Sequence, residues 1–216
     1  MIVAERKELE EIKEMVEPYD RILILGCNTC ATIRLYGGEK ECEKLSIELG
    51  DVFKDKKISY KVVERQCEQE FLEDEAVKKE IEENDCVLSM SCSIGPQTVV
   101  EIYPNSIAVP AQNTSFIGRA VEHGIFQERC ALCGDCIIDE TFGLCPIARC
   151  AKSLMNGPCG GSHDGKCEVD PERDCVWQLI YDRASRLGRI DDLLGIIEVK
   201  DWSNGMHGTR KEVKHV

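Results

Sequence analysis

The chain has 216 residues, with 27 Lys and Arg against 40 Asp and Glu, a formal net charge of −13. So acidic a chain repels nucleic-acid phosphates and anionic membrane surfaces alike, and no apolar run approaches the roughly 20 residues of a bilayer span. Neither nucleic-acid binding nor membrane insertion is expected.

The start, Glu5-Arg6-Lys7-Glu8, is charged where a secretory leader would be apolar, so a cytoplasmic protein is expected. Fourteen cysteines in a reducing compartment then read as metal ligands or redox groups. They are also sparser than the roughly 8–10% of a small disulfide scaffold.

Taken in chain order, residues 4–16 carry Leu9, Ile12, Met15 and Val16 at helical spacing, and Pro18 ends that helix. Residues 21–25 form a short β-branched apolar run, expected as a buried strand. A helix over 39–52 follows, then a strand over 58–63, a highly charged helix over 68–83 and a strand over 86–90. A short helix over 96–102 and a strand over 106–109 complete the series. Such alternation implies βαβ units and a Rossmann-like parallel sheet.

Residues 128–176 follow a different grammar. Eight cysteines lie between Cys130 and Cys175, Gly, Pro, Asn and Asp are frequent, and no apolar period persists. Such a segment buries too little apolar surface to offset its chain entropy, so bound metal is expected to hold it. Helices return over 176–187 and 190–197. The chain therefore divides into an α/β domain over 1–127, a small cysteine-rich metal-binding domain with C-terminal helices over 128–204, and a polar tail over 205–216.

Four of the six N-terminal cysteines fall just beyond expected strand ends: Cys27 and Cys30 after the first, Cys67 after the second, Cys92 after the third. In a parallel sheet these loops gather at one edge, where open α/β folds bind ligands. Four thiolates there make a ligand set for a [4Fe-4S] cluster or an all-cysteine zinc site. Cys42, inside a helix, and Cys86, opening a strand, read as core residues. The turn after the first strand lacks a dinucleotide fingerprint and no P-loop occurs. Gly37-Gly38 before a helix reads as a turn rather than an anion site.

In the second half, Cys130-x2-Cys133-x2-Cys136 followed by Cys145-Pro146 echoes bacterial ferredoxins, with a longer gap before the fourth cysteine. Spacing alone leaves open whether Cys145, Cys150 or Cys159 completes that set. Cys167 and Cys175 are the remaining candidates. Arg65, Arg129, Arg149 and Lys152 stand near these cysteines and would offset the charge of thiolate-ligated metal. His163 has zinc-like spacing to Cys159 and Cys167 but reads as a loop residue, as do His123, His207 and His215. No general acid–base pair and no nucleophilic triad is suggested.

The block Glu128-Arg129-Cys130, Cys145-Pro146-Ile147-Ala148-Arg149-Cys150-Ala151-Lys152, Asn156-Gly157-Pro158-Cys159-Gly160-Gly161, Gly165-Lys166-Cys167-Glu168 and Asp174-Cys175-Val176-Trp177 resembles the methylenetetrahydrofolate reductase C-terminal domain family. The motifs Gly26-Cys27-x-x-Cys30, Gly37-Gly38-Glu39-Lys40, Arg65-Gln66-Cys67 and Asn113-Thr114 are similar to the small iron–sulfur subunit of such reductases in anaerobes.

The resemblance implies two or three [4Fe-4S] clusters, with zinc at one cysteine site as the alternative. It implies a flavin-bearing TIM-barrel catalytic subunit as partner and an external electron carrier. The chain itself is then expected to be an electron-transfer subunit without catalytic residues of its own. Two rivals from other classes are a zinc scaffold without redox role and a zinc-thiolate methyl-transfer protein.

Overall fold

The computed structural model describes residues 1–206; His207, His215 and the expected tail from residue 207 onward lie outside the described residues. The chain divides into two compact units, Met1–Phe126 and Gln127–Val216. The class is mixed α/β around a parallel four-stranded sheet, as the alternation of elements implies.

In the first unit, β1 (Ile2–Arg6) precedes α1 (Leu9–Val16), followed by β2 (Arg21–Cys27), α2 (Cys30–Ile33), α3 (Glu39–Val52) and β3 (Lys57–Val63). Then come α4 (Gln69–Leu72), α5 (Glu75–Glu83), β4 (Cys86–Met90), α6 (Ile94–Ile102), β5 (Ala108–Pro110) and β6 (Gln112–Glu122). The division between the units falls within β7 (Ile125–Cys130). The parallel sheet runs in the order β3-β2-β4-β5, and a second, three-stranded sheet runs β1-β6-β7.

Strands β2 and β4 are buried along almost their whole length, which is why they read as unbroken apolar runs. The two-residue period then sorts their side chains between two cores. Ile22, Ile24, Leu88 and Met90 pack with Ile12 and Val16 of α1 and Leu45 and Leu49 of α3. Leu23, Leu25 and Val87 pack with Leu72, Val77, Ile81 and Val99 of α4, α5 and α6. The hydrophobic gain of each fully buried Leu or Ile is about 1.5–3 kcal/mol, so the sheet is the rigid part of this unit.

Several elements differ from the sequence-based expectation. Ala4 lies in β1, paired antiparallel with β6, and the helix starts only at Leu9. Strands β1, β6 and β7 were not expected, because their burial is patchy and their polar residues break the period. The helix expected over 68–83 is two helices. Asp74 accepts from the backbone N–H groups of Ala76 and Val77 and starts α5 afresh, as an N-capping Asp does.

The second unit holds little regular structure: α7 (Pro146–Arg149), α8 (Val176–Arg186), and 3-10 turns at Ile190–Leu194 and Trp202–Asn204. The helix expected over 190–197 is thus a single 3-10 segment. Its core is Phe142, Val176, Trp177, Ile180 and Ala184, with Trp177 Nε1 donating to Leu154 O at 3.0 Å. Gly205 and Met206, placed by expectation in a tail, are anchored: Met206 N donates to Leu132 O at 3.0 Å. Among the described residues no helix is long and apolar enough to cross a membrane.

Leu88→Ala removes a fully buried side chain from β4 and is expected to cost about 2–5 kcal/mol. Ile47→Ala, on the exposed face of α3, is expected to change stability by less than about 0.5 kcal/mol. Guanidinium unfolding of the two variants beside the parent chain measures both.

Candidate metal centres

The strand order brings the loops that carry the N-terminal cysteines to one edge of the sheet. β2 lies between β3 and β4, with Cys27 beside Val63 and Gly26 beside Met90 in register. The chain leaves β2 towards β3 on one side and returns to β4 on the other, so the topological switch point opens at the carboxyl ends of β2 and β4, where α/β folds bind ligands. Cys27 closes β2, Cys30 opens α2, Cys67 follows β3 and Cys92 follows β4.

Each loop is pinned by backbone groups. Cys27 N donates to Gly37 O at 2.9 Å and Asn28 N to Val63 O at 2.9 Å. A Cβ on Gly26 would stand 2.6 Å from Cys42 Sγ, and one on Gly37 would stand 1.9 Å from Met90 O. Both glycines are therefore demanded by close approach. Glu41 accepts from Gly38 N at 3.0 Å, so a carboxylate of the chain itself occupies the start of α3.

Gln66, fully buried, ties the second loop to the other two. Its Nε2 donates to Leu25 O at 2.7 Å and Gly26 O at 3.0 Å. Its Oε1 accepts from Ser89 Oγ at 2.6 Å and Ser91 Oγ at 3.2 Å. The third loop is fixed by Thr114, whose Oγ1 accepts from Ser93 N at 2.9 Å.

The electrostatics join the four thiols. Burial first, then the Cys27 thiol and more weakly that of Cys92, push the Cys67 thiol up. Cys92, Cys30 and Cys27 in turn favour the charge on the Arg34 guanidinium, which burial disfavours. Arg34 is 1% exposed. Its Nε donates to Cys30 O at 3.0 Å, Nη1 to Ala4 O at 2.6 Å and Nη2 to Gln112 Oε1 at 3.0 Å. All three acceptors are neutral. A guanidinium sealed among neutral acceptors and thiols suits a donor set that becomes anionic, as thiolates on a metal do. Cys42 and Cys86 lie in the apolar core, where burial pushes each thiol up to about 12.

In the second unit, Cys150, Cys159, Cys167 and Cys175 line one small cavity of about 20 Å³, closed on one side by Trp177. Gly157 lies flat on that indole, since a Cβ there would meet the ring at 2.4 Å. Gly161 N donates to Cys159 Sγ at 3.4 Å. Cys175 caps α8. The Val169 backbone N–H, assisted by those of Asp170 and Ala151 and by Arg173, holds the Cys167 thiol below its ordinary range. Lys152, beside the cavity, is ion-paired with Glu168.

The remaining thiols occupy other surroundings. Cys130 ends β7 and accepts from Leu132 N at 3.4 Å. Cys145 caps α7 and accepts from Ala148 N at 3.5 Å. Cys133 accepts from Lys200 Nζ at 2.9 Å, and Cys136 is exposed. The His163 side chain is exposed and sits 3.0 Å from Asp164.

Among the described residues, no three His, Cys, Asp or Glu side chains are drawn together as a ready-made metal-ion site. Of the four cations the sequence singles out, Arg65 pairs with Glu68 at 2.9 Å and Lys152 with Glu168. Arg129 donates to Gln127 and to Glu128 O, and Arg149 lines the cavity. Sequence reasoning missed Arg34 and Lys200. For Arg34 a signal existed, its position four residues after Cys30 at the end of the same short helix; Lys200 has no such signal.

Residues 109–203, a little under half of the chain, match the family described as methylene-tetrahydrofolate reductase C terminal. The match spans the whole cysteine-rich segment and stops short of β2, β3 and β4. No curated protein and no solved structure matches the chain.

Two outcomes test this geometry. Gln66→Leu leaves two strand-end carbonyls and two hydroxyls without their partner, an expected loss of about 2–3 kcal/mol, read by unfolding. In reduced, metal-stripped protein at pH 8, iodoacetamide is expected to alkylate Cys30 and Cys67 roughly a hundredfold faster or more than Cys42 and Cys86, because the thiolate is the nucleophile. Peptide mass spectrometry over a time course reads the difference.

Proposed function

We propose that this chain is the iron–sulfur electron-transfer subunit of a methylenetetrahydrofolate reductase complex, working in the cytoplasm beside a flavin-bearing catalytic subunit and an external electron carrier. The observation that carries the reading is the convergence of Cys150, Cys159, Cys167 and Cys175 on one cavity within the region that matches the reductase family. Four soft sulfur donors around one space are a ligand set for a metal, either a cluster that widens this small cavity on binding or a single zinc ion.

The twelve candidate ligands then divide into three sets of four. Cys27, Cys30, Cys67 and Cys92 stand at the edge of the parallel sheet. Cys150, Cys159, Cys167 and Cys175 surround the cavity. Cys130, Cys133 and Cys136 follow one another at the spacing of a ferredoxin loop, and Cys145 is left to complete them. When bound, [4Fe-4S] clusters exchange electrons singly, which couples a one-electron carrier to a two-electron flavin.

The chain's own residues do the rest. Gln66 and Thr114 hold the sheet-edge loops in place, and Trp177, with Gly157 packed on its ring, forms part of the cavity wall. The N–H groups of Gly161, Leu132 and Ala148 donate to the Sγ atoms of Cys159, Cys130 and Cys145 and orient them. Leu194, Ile196 and Val199 are exposed and supply apolar surface of the kind a lasting subunit contact buries.

Protein purified without oxygen is expected to be brown and to hold about eight or more irons with matching acid-labile sulfide. Cys133→Ser is expected to lose about four of them and to couple poorly to the flavin subunit. Zinc without sulfide would replace this reading by the zinc scaffold. Unchanged iron in Cys133→Ser would remove that residue from the ligand set.

A further inference from the structure

Among the described residues, only two charged side chains are buried: Arg34, 1% exposed, and Lys200, 6% exposed. Both are cations, in a chain whose 40 carboxylates outnumber its cations by thirteen. Neither touches a carboxylate among the described residues. Arg34 donates to two backbone carbonyls and the Gln112 amide oxygen. Lys200 donates to Cys133 Sγ at 2.9 Å and to the backbone carbonyl of Asp135. A buried charge without a counter-ion is strongly disfavoured, and carboxylates are abundant enough that their exclusion from both sites calls for another anion.

Arg34 Nε donates to the backbone carbonyl of Cys30, itself one of the sheet-edge cysteines, and against burial its charge is favoured by Cys92, Cys30 and Cys27. For Lys200 the candidate anion is Cys133, in direct contact. The two cations therefore fall on two different cysteine sets, one in each unit. The third set is built otherwise. None of the cations near it is buried: Lys152 and Arg173 are exposed and ion-paired with Glu168 and Asp170, and Arg149, which lines the cavity, is half-buried.

We infer that Arg34 and Lys200 are the fixed counter-charges of two separate thiolate centres and raise the reduction potential of each, leaving the cavity centre without such a charge. The inference rests on the iron–sulfur reading above. Four thiolates around a metal core leave a centre net negative, and each electron it accepts adds one negative charge. A cation held beside it in a low-dielectric surrounding favours the reduced form over the oxidised one. Because the charge is built in, no proton need accompany the electron. Both residues are positioning residues, since their effect passes through the sulfur ligands.

The test is an anaerobic redox titration of the full chain with dithionite, followed by electron paramagnetic resonance, with iron and sulfide counted in every sample. The signal that disappears in Cys67→Ser identifies the sheet-edge centre, and the one that disappears in Cys133→Ser identifies the loop centre. Arg34→Gln is expected to lower the first midpoint by about 59 mV or more, a tenfold fall in the one-electron equilibrium constant, and to leave the second unmoved. Lys200→Met is expected to do the reverse. Its iron and sulfide content is compared with the parent's before the midpoint is read, because the change also leaves Cys133 Sγ and the Asp135 carbonyl without their donor.

Arg34→Lys and Lys200→Arg keep the charge and are expected to keep the parent midpoints. If Arg34→Gln does not accumulate, Gln112→Glu sets a carboxylate against Arg34 Nη2 and must lower the same midpoint. Unmoved midpoints with full iron content overturn the inference while leaving the iron–sulfur reading intact. So does an equal fall in the charge-conserving variants, since it assigns the effect to hydrogen bonding. Absence of redox-active iron from the parent protein overturns both.

Discussion

One buried amide holds the cysteine-bearing edge of the sheet together. Where parallel strands end, their last carbonyls lose the partners that the ladder supplied. At β2 those carbonyls, Leu25 and Gly26, are taken by the side chain of Gln66, which arrives from the loop after β3. The same side chain accepts from Ser89 and Ser91 at the end of β4. A single residue from the loop after β3 thus satisfies polar groups at the ends of both neighbouring strands, and Cys67 follows it in the chain. Gly95 packs so closely here that a Cβ would stand 2.0 Å from Ser91 Oγ. The edge tolerates no added bulk, and each of its parts fixes the next.

The two units solve the problem of chain entropy in opposite ways. In the first, two apolar cores on either face of one sheet supply the free energy, and the thiols decorate a framework that exists without them. In the second, the core comprises five buried residues around Trp177, and long stretches between Ile137 and Cys175 carry no helix or strand beyond the single turn of α7. Conformational entropy of order 1–2 kcal/mol per ordered residue is hard to meet from so small a core. That imbalance is the physical reason why a metal bound by these thiols would carry a structural share.

How far the sequence could be read follows from which contacts are local. β2 and β4 were legible because a strand buried on both faces shows as an apolar run, and Cys27, Cys67 and Cys92 were legible because strand ends in a parallel sheet share an edge. β1 and β6 were not, since their pairing joins residues more than a hundred positions apart and buries little besides Val3 and Ala4. Arg34 was hidden for the same reason. Its partners Ala4 and Gln112 belong to that unforeseen sheet, so its place four residues after Cys30 hints at a role while its burial is set far along the chain. The grouping of Cys150 with Cys159, Cys167 and Cys175 was beyond spacing alone, because irregular loops set it.

The return of the chain from Lys200 to Met206 onto the loop at Cys133 has a consequence for biosynthesis. Lys200 and Cys133 are 67 positions apart, and Met206 closes the same loop by donating to Leu132 O. At the usual elongation rates of about 5–20 residues per second, roughly 3–13 s pass between the two. Through that interval the loop stands open on the nascent chain, with its thiols accessible and its covering cation not yet made. Any cofactor delivered there before release would reach the loop ahead of Lys200 and Met206, and one delivered afterwards would find both contacts already made.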